Sequence, residues 1–487
     1  LALTDRMDGL EFTDIPVAPY AELLDSTRGL SDHRGGPVFD DWDAHRHARH
    51  CRRDWQPVDV QPAVPTGPIP RLQGCRNWMG PVCHHFGHQL ADLSMRILPA
   101  METARGEASL AALRVGSQPD LVSTPAFFRD ILAWFGVDPA RVRLVHQPVC
   151  VERLWVMPQS EMIFGPPPGN AWLAVLERHF RRRASGCAPS GAARIVYVTR
   201  SAVTRGTIAG ESAVEEYLRG HGALVVRPED HGLAELLPLY AAAEHVVLSE
   251  GSAMHALQFM GRQLRHVTVI GRGQSHRYGA NFLTARCESL QHIEVPVRGL
   301  SGRTDGRFRE TGLALLDGPK LAQSLAARLG LGGASWNEQA WQRAQAESVW
   351  RWVRDYLHAR PHKTPLSPEI ISRELKDSEL HTEPALQTLL KARERQDAAD
   401  QRGPTSRLPR RSSFDLKRPR PPCCWRRPLK RAPGSPTTPK SCTCRWPTSS
   451  GAWMMASCRT TRASGSHAAA WLGRTKREGL TTGFRPG

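Results

Sequence analysis

The most constraining feature of the sequence is a stretch in which strand and helix patterns alternate with short turns between them. Apolar, β-branched runs at 194–199, 223–226, 245–249 and 266–270 predict strands, and amphipathic patterns at 213–220, 233–243 and 253–261 predict the helices that separate them. A helix between each pair of strands leaves no room for hairpins. The strands are therefore expected to run parallel, in a sheet that needs cover on both faces. Such sheets take their ligands beyond the carboxyl ends of the strands.

Upstream the pattern is sparser. From His84 the residues Phe86, Leu90, Leu93, Ile97 and Leu98 recur at helical spacing and predict a helix that stops near Pro99. A further helix is expected over 126–135, with short strands over 142–145 and 154–157. The run from Gly165 through three prolines to Gly169 is a stiff break that reads as a linker. The chain so divides into an irregular lead-in over 1–70 with little core of its own, a lobe over 71–165 and a second lobe over 170–330. C-terminal helices follow over 331–400, including a pattern from Trp336 to Leu357 and a charged helix over 384–395, and a tail occupies 401–487. In the lead-in, His45, His47 and His50 alternate with arginine and have no carboxylate or cysteine partner, which reads as a solvated face rather than a metal site.

A net charge of +18 would by itself suggest a polyanionic partner, but it is unevenly placed. From Arg402 onward 19 Lys or Arg face only Asp415 and Glu478, which leaves the rest of the chain at +1. A balanced body argues against nucleic acid as its partner. The tail mixes Pro, Arg, Cys, Ser and Trp, as in the run from Arg418 to Trp425, in a way that suits neither a core nor an ordinary flexible linker. It reads as disordered and basic, with the character of a GC-rich coding sequence translated out of frame, or else as an anchor for anionic surfaces. Cys51, Cys75, Cys83, Cys150, Cys187 and Cys287 follow no zinc or disulfide spacing, and no long uncharged apolar run occurs. A cytoplasmic location is expected, with peripheral association at the inner face of the membrane as the furthest the sequence allows.

Two groups of polar residues stand where chemistry is expected. His88 and Asp92, four residues apart, share one helix face, where the acid can hold an imidazole tautomer or itself accept a proton. Arg200 and Arg205 follow a strand and can pair with a diphosphate through charge-assisted hydrogen bonds. Glu211 opens the next helix, and Glu229 is placed to grip ribose hydroxyls. Glu250, Gly251 and Ser252 lie at a strand's carboxyl end before a helix that carries His255, so backbone N–H groups there can face a phosphate. Each also has a purely structural reading: a helix-face hydrogen bond for His88 and Asp92, loop ion pairs for the arginines, a helix-start acid for Glu211, a tight turn for Gly251 and a buried helix residue for His255.

The segments HHFGHQLADLSMRILP (84–99) and YVTRSAVTRGTIAGES (197–212), the latter continuing through Pro228-Glu229 to the loop and helix 250–259, resemble the family 61 glycosyltransferases. That family includes bacterial capsular polysaccharide proteins, plant xylan-modifying transferases and animal O-linked sugar transferases. The resemblance covers Gly74 to Phe259. It implies a GT-B-like α/β fold of two Rossmann-like lobes with an interlobe cleft, and a metal-independent, nucleotide-sugar-dependent transfer to a glycan or glycolipid acceptor, with no cofactor. By the same resemblance Asp92, assisted by His88, would be the catalytic base, and Arg200, Arg205, Glu211, Glu229, Glu250, Gly251, Ser252 and His255 would hold the donor. Gly210 stands where the family has Asn, Leu236 where Gln is common and Glu250 where His is frequent, and the second Arg lies one residue further from Glu211 than in many members. Those departures favour the alternative of a non-catalytic glycan- or nucleotide-binding protein on the same fold.

Overall fold

In the computed structural model the chain is described for residues 8–22, 33–52, 55–103, 105–106, 108–184, 193–203, 206–273, 277–302, 312–332, 335–358, 368–377 and 391. All of these fall within one compact unit, Leu1–Thr448. The architecture is mixed α/β, with two large sheets.

The strands expected over 194–270 form the second of these sheets. Leu224–Val226, Ile195–Val198, His245–Ser249, Leu264–Ile270 and Cys287–Ile293 lie side by side in that order, and every pair is parallel. Numbered along the chain the order is 2-1-3-4-5, so the direction of growth reverses between Ile195–Val198 and His245–Ser249. A crevice opens at the carboxyl ends of two strands related in this way. Both faces are covered: Ile195 and Tyr197 pack with Leu218, Leu325 and Trp341, while Val196 and Val198 pack with Leu237, Tyr240 and Phe259. Successive strand residues point to opposite faces, which is why the central strands, such as Ile195–Val198, carry apolar residues on both.

The first sheet has seven strands in the order Asp59–Val60, His33–Pro37, Leu10–Glu22, Val149–Val156, Arg71–Pro81, Ala108–Ala112, Val142–Val145. The last four are parallel to one another. Among them the growth direction reverses between Arg71–Pro81 and Val149–Val156, so this sheet too has a crevice at its carboxyl edge.

The segment read as an irregular lead-in over 1–70 is instead part of this sheet. Leu10–Glu22 pairs antiparallel with Val149–Val156, from Leu10 opposite Val156 to Val17 opposite Val149, and adds Ile15, Val17 and Tyr20 to a core with Trp78, Leu110 and Val151. Pro16 and Pro19 and the left-handed Asp14 (φ 53) break the period-two pattern that would have announced the strand. Of the histidines read as a solvated face, His45 and His50 are packed instead. His45 packs against Phe12 and Phe39, with ring centroids 4.9 and 5.6 Å away, and His50 is buried edge-on to His33 at 5.0 Å.

Between the sheets one apolar core runs from Met79, Ala111 and Leu144 to Val196 and Val267. Helix Ala126–Phe135 lies in it and buries Phe127, Phe128, Ile131, Leu132, Trp134 and Phe135. Each such side chain contributes about 1.5–3 kcal/mol, and the helix ends where Gly136 takes a left-handed φ of 72°. Beyond the Gly165–Gly169 break, helix Asn170–Ala184 adds Trp172, Leu173 and Phe180 to the same core. Helix Glu338–His358 sets Trp341 on the outer face of the second sheet, and its Val349, Trp352 and Val353 pack with Leu313, Leu315 and Ile371. The charged helix expected over 384–395, Lys391 apart, and the tail over 401–487 lie outside the described residues, as does Arg205. Among the described residues no helix is long and apolar enough to cross a membrane.

Candidate active site

Strand Arg71–Pro81 delivers the chain to the carboxyl edge of the first sheet, where the expected helix begins but does not run straight. A short α-turn at Phe86–His88 is capped by His85, whose Nδ1 accepts from the His88 N–H at 3.4 Å. It then widens into a π-turn over Gln89–Leu93, with the Ser94 N–H reaching back five residues to the Gln89 carbonyl at 3.0 Å. The Gln89 side chain drives this: its Oε1 accepts from the Cys83 N–H at 2.8 Å and its Nε2 donates to Ser94 Oγ at 2.9 Å. Pro99 does not end the helix, because a new one, Ile97–Thr103, starts just before it and places the proline in its first turn. Single π-turns of this kind occur often at functional sites.

His88 and Asp92 meet on this turn, with Nδ1 3.3 Å from Oδ2. Asp92 is wholly enclosed. Its Oδ2 also accepts from Arg52 Nη2 at 2.8 Å and its Oδ1 from the Ile163 N–H at 2.6 Å. Burial works to raise this carboxyl, but the His88 hydrogen bond, the Arg52 charge and the Ile163 N–H outweigh it and hold it below its ordinary value. A carboxylate so enclosed and so engaged is a poor base toward a substrate. Of the two residues expected to share the base's work, His88 is the one that reaches the surface, with 17% of its side chain exposed. Nδ1–H donating to Asp92 Oδ2 is the tautomer that leaves a lone pair on Nε2, and Arg52 Nη2, which lies 3.0 Å from Nδ1, then donates to Asp92 Oδ2 and not to the ring.

Arg52 escaped the sequence reading. It lies 36 residues before His88, is fully buried and touches both members of the pair. His85 stands beside His88, rings 4.4 Å apart, and burial together with the His88 and Arg52 charges pushes it down to about 4.

At the crevice of the second sheet, Arg200 follows strand Ile195–Val198. Its N–H donates to Glu211 Oε1 at 2.9 Å and its Nε to the Gly206 carbonyl at 3.2 Å, while Nη1 and Nη2 have no hydrogen-bond partner among the described residues. The guanidinium lies flat on Gly251: a Cβ there would come within 2.6 Å of Nη1. Burial lowers the Arg200 pKa, and the Glu211, Glu229 and Glu250 charges oppose that shift.

Glu211 is a buried internal clamp whose Oε1 also accepts from Tyr197 Oη at 2.9 Å and from Ser249 Oγ at 2.5 Å. Glu229 is half-buried, with its Oε1 unpartnered among the described residues and its carboxyl raised by burial. Glu250 is buried, its Oε2 accepting from the Arg272 N–H at 2.8 Å. His255 is also turned inward, with Nδ1 2.7 Å from Gln258 Oε1 and Nε2 2.9 Å from Tyr278 Oη, and burial holds it down to about 4. It sits on a 3-10 helix, Ser252–Phe259, rather than the α-helix expected over 253–261.

The two crevices touch. Gly87, just before His88, packs on Ser252, just after Gly251, so closely that a Cβ on Gly87 would lie 2.9 Å from that of Ser252. A continuous path of contact therefore runs from His88 and Gly87 through Ser252 and Gly251 to Arg200. Residues 86–268 match the family model Glycosyltransferase 61. No curated protein matches the chain. The match covers less than half of the 487 residues, but it holds both crevices, and it supports a glycosyltransferase of family 61, which takes a sugar from a donor and passes it to a glycan acceptor. Arg52 lies before the glycosyltransferase match, and helix Glu338–His358 lies after it.

A second buried network ties the sheets together beneath the contact. Glu161, just beyond strand Val149–Val156, accepts from Arg286 Nη2, from Trp172 Nε1 at 2.7 Å and from Gln258 Nε2 at 3.1 Å. Arg286 in turn donates to the Met260, Phe282 and Gln258 carbonyls, so this buried ion pair is fully hydrogen-bonded. Among the described residues no group of three or more His, Cys, Asp or Glu is arranged to hold a metal ion.

Proposed function

We propose that the protein moves a sugar from a nucleotide-activated donor to a hydroxyl of a glycan or glycolipid acceptor, without a metal ion, in the synthesis of capsular or other surface polysaccharide. In this reading the two sheets are the halves of a GT-B-like enzyme, acceptor side first and donor side second, working in the cytoplasm at the inner face of the membrane. The observation that carries it is the contact of the two crevices at Gly87 and Ser252, which sets an outward imidazole on one side of the junction and two free guanidinium nitrogens on the other. His88 Nε2 takes the proton from the acceptor hydroxyl as its oxygen bonds to the anomeric carbon, and the bond from that carbon to the diphosphate oxygen breaks. Arg200 Nη1 and Nη2, with Ser252, meet the charge that builds on the leaving diphosphate. Asp92 positions His88, Glu211 positions Arg200, and Glu229 takes ribose hydroxyls. Glu250 accepts from the Arg272 N–H, and its charge acts on Arg200 and not on the diphosphate alone.

Thermal stability of the full-length protein, screened against UDP, GDP and CMP and their sugar conjugates, tests this. One nucleotide is expected to raise the melting temperature, and Arg200→Ala to abolish the rise. No rise with any of them, in a folded protein, would instead favour a non-catalytic glycan-binding role. Gly251→Ala puts a methyl into the guanidinium and should weaken the same nucleotide about tenfold, the size of one lost charge-assisted hydrogen bond. Unchanged nucleotide affinity in that variant would remove Arg200 from the donor site.

A further inference from the structure

His85 stands at the junction of the crevices and has no part in the transfer chemistry above. It precedes the α-turn Phe86–His88 and is partly buried, with its ring 4.4 Å from that of His88. Gly87, two residues on, packs on Ser252, and a Cβ on it would lie 3.6 Å from the His255 ring. His255 is among the groups whose charge bears on His85. His85 is therefore next to the imidazole that serves the acceptor and close to the 3-10 helix that begins at Ser252.

Its two ring nitrogens are not equivalent. The His88 N–H donates to Nδ1 at 3.4 Å, so Nδ1 keeps its lone pair and the ring proton is on Nε2. Nε2 has no hydrogen-bond partner among the described residues, and the side chain is not closed off from solvent. The ring is also neutral at neutral pH: burial first, then the charges of His88, Arg52 and His255, push it down to about 4, against the pull of its own carbonyl. Capping alone does not explain an imidazole here, because Ser, Thr, Asp and Asn make better caps. What the imidazole adds is a hydrogen-bond donor that carries no charge and does not compete with His88 for the proton.

Resting on the transferase reading above, we infer that His85 Nε2–H donates to a hydroxyl of the transferred sugar and so helps to select which sugar is accepted. The leaving diphosphate calls for positive charge, which Arg200 supplies. A hydrogen bond donated to the acceptor oxygen would weaken its attack. The sugar lies between those two groups during transfer, and its hydroxyls are neutral acceptors suited to a neutral N–H. A sugar lacking the hydroxyl would cover the N–H and leave it unpaired, which is how a polar contact discriminates.

The test measures, on the full-length protein by calorimetry, the dissociation constants of UDP, GDP and CMP and of their common sugar conjugates. His85→Ser is expected to bind the bare nucleotide as wild type does and to lose about tenfold in its preference for the sugar conjugate, the size of one neutral hydrogen bond. Serine still caps the turn but does not reach outward. His85→Gln is the converse, a poor cap whose amide nitrogen stands near the place of Nε2, and it is expected to keep most of that preference. A role confined to capping predicts the reverse, with glutamine impaired and serine not, and that result overturns the assignment. So does a preference lost equally in both variants or in neither, or an equal loss of affinity for nucleotide and conjugate. A wild type that binds a nucleotide but none of its conjugates overturns the assignment and leaves the nucleotide site standing, whereas one that binds neither defeats the transferase reading as well.

Discussion

Asp92→Asn is expected to unfold at a markedly lower temperature than the wild type, and His88→Ala is not, although both should abolish most of the turnover. Asp92 is the buried counter-charge of Arg52, whose side chain is likewise fully enclosed and whose Nε and Nη1 have no partner among the described residues. Removing one member of a buried pair strands the other, which typically costs about 3–5 kcal/mol. His88 is partly exposed, so its removal leaves little behind, yet a missing general base lowers turnover by about 10²–10⁴. Melting curves of the two variants, with turnover on whichever nucleotide sugar the screen identifies, separate the roles. Equal melting temperatures would mean that Asp92 does not balance Arg52. Undiminished turnover in His88→Ala would remove His88 as the base.

Four of the second sheet's five strands could be read from the sequence because of apolar runs such as Val246, Val247 and Leu248 with helices between them, whereas Cys287–Ile293, with Glu288, Ser289, Gln291 and His292, carries no such run and was missed. The strand Leu10–Glu22 could not, since two prolines and an aspartate in a left-handed turn interrupt it and its partner lies more than 100 residues away. The π-turn was hidden for a different reason: it depends on where one amide side chain, Gln89, finds its partners, and the spacing of His88 and Asp92 is the same in a regular helix. Spacing also says nothing about which way a carboxylate turns. Glu250 sits in the loop where a ligand contact was expected, but the Arg272 N–H, 22 residues on, draws it inward. Arg52 carries no motif at all, and only the fold brings it to His88 and Asp92.

Acid should unfold this protein well above the range in which carboxylates titrate. His33 is held down to about 3, His85 and His255 to about 4, and His50 well below its ordinary value, in each case chiefly by burial. The charges around them add to this: His33 faces Arg52 and His88, with Asp92 opposing, and His50 faces His33, Arg52, Arg96 and His88. A histidine whose folded pKa is lowered stays neutral while the unfolded chain takes up a proton. Its contribution is intact above 6.5, erodes as the pH falls below that value, and is gone once the pH has passed through the folded pKa. His255 alone stands to lose about 3 kcal/mol by pH 4, against a total stability on the order of 5–15 kcal/mol. Asp92 adds its loss only below its ordinary 3.8, and Asp59, raised by burial, pulls the other way but only in the carboxylate range. Urea titrations at intervals between pH 7.5 and 5 should therefore show stability falling by about 5 kcal/mol per pH unit near pH 5.5, the uptake of nearly one proton by each of these four histidines. A slope below about 1.4 kcal/mol per unit, less than one proton, would mean that the histidines around Arg52 and Tyr278 are hydrated in solution and that these polar centres are open rather than closed.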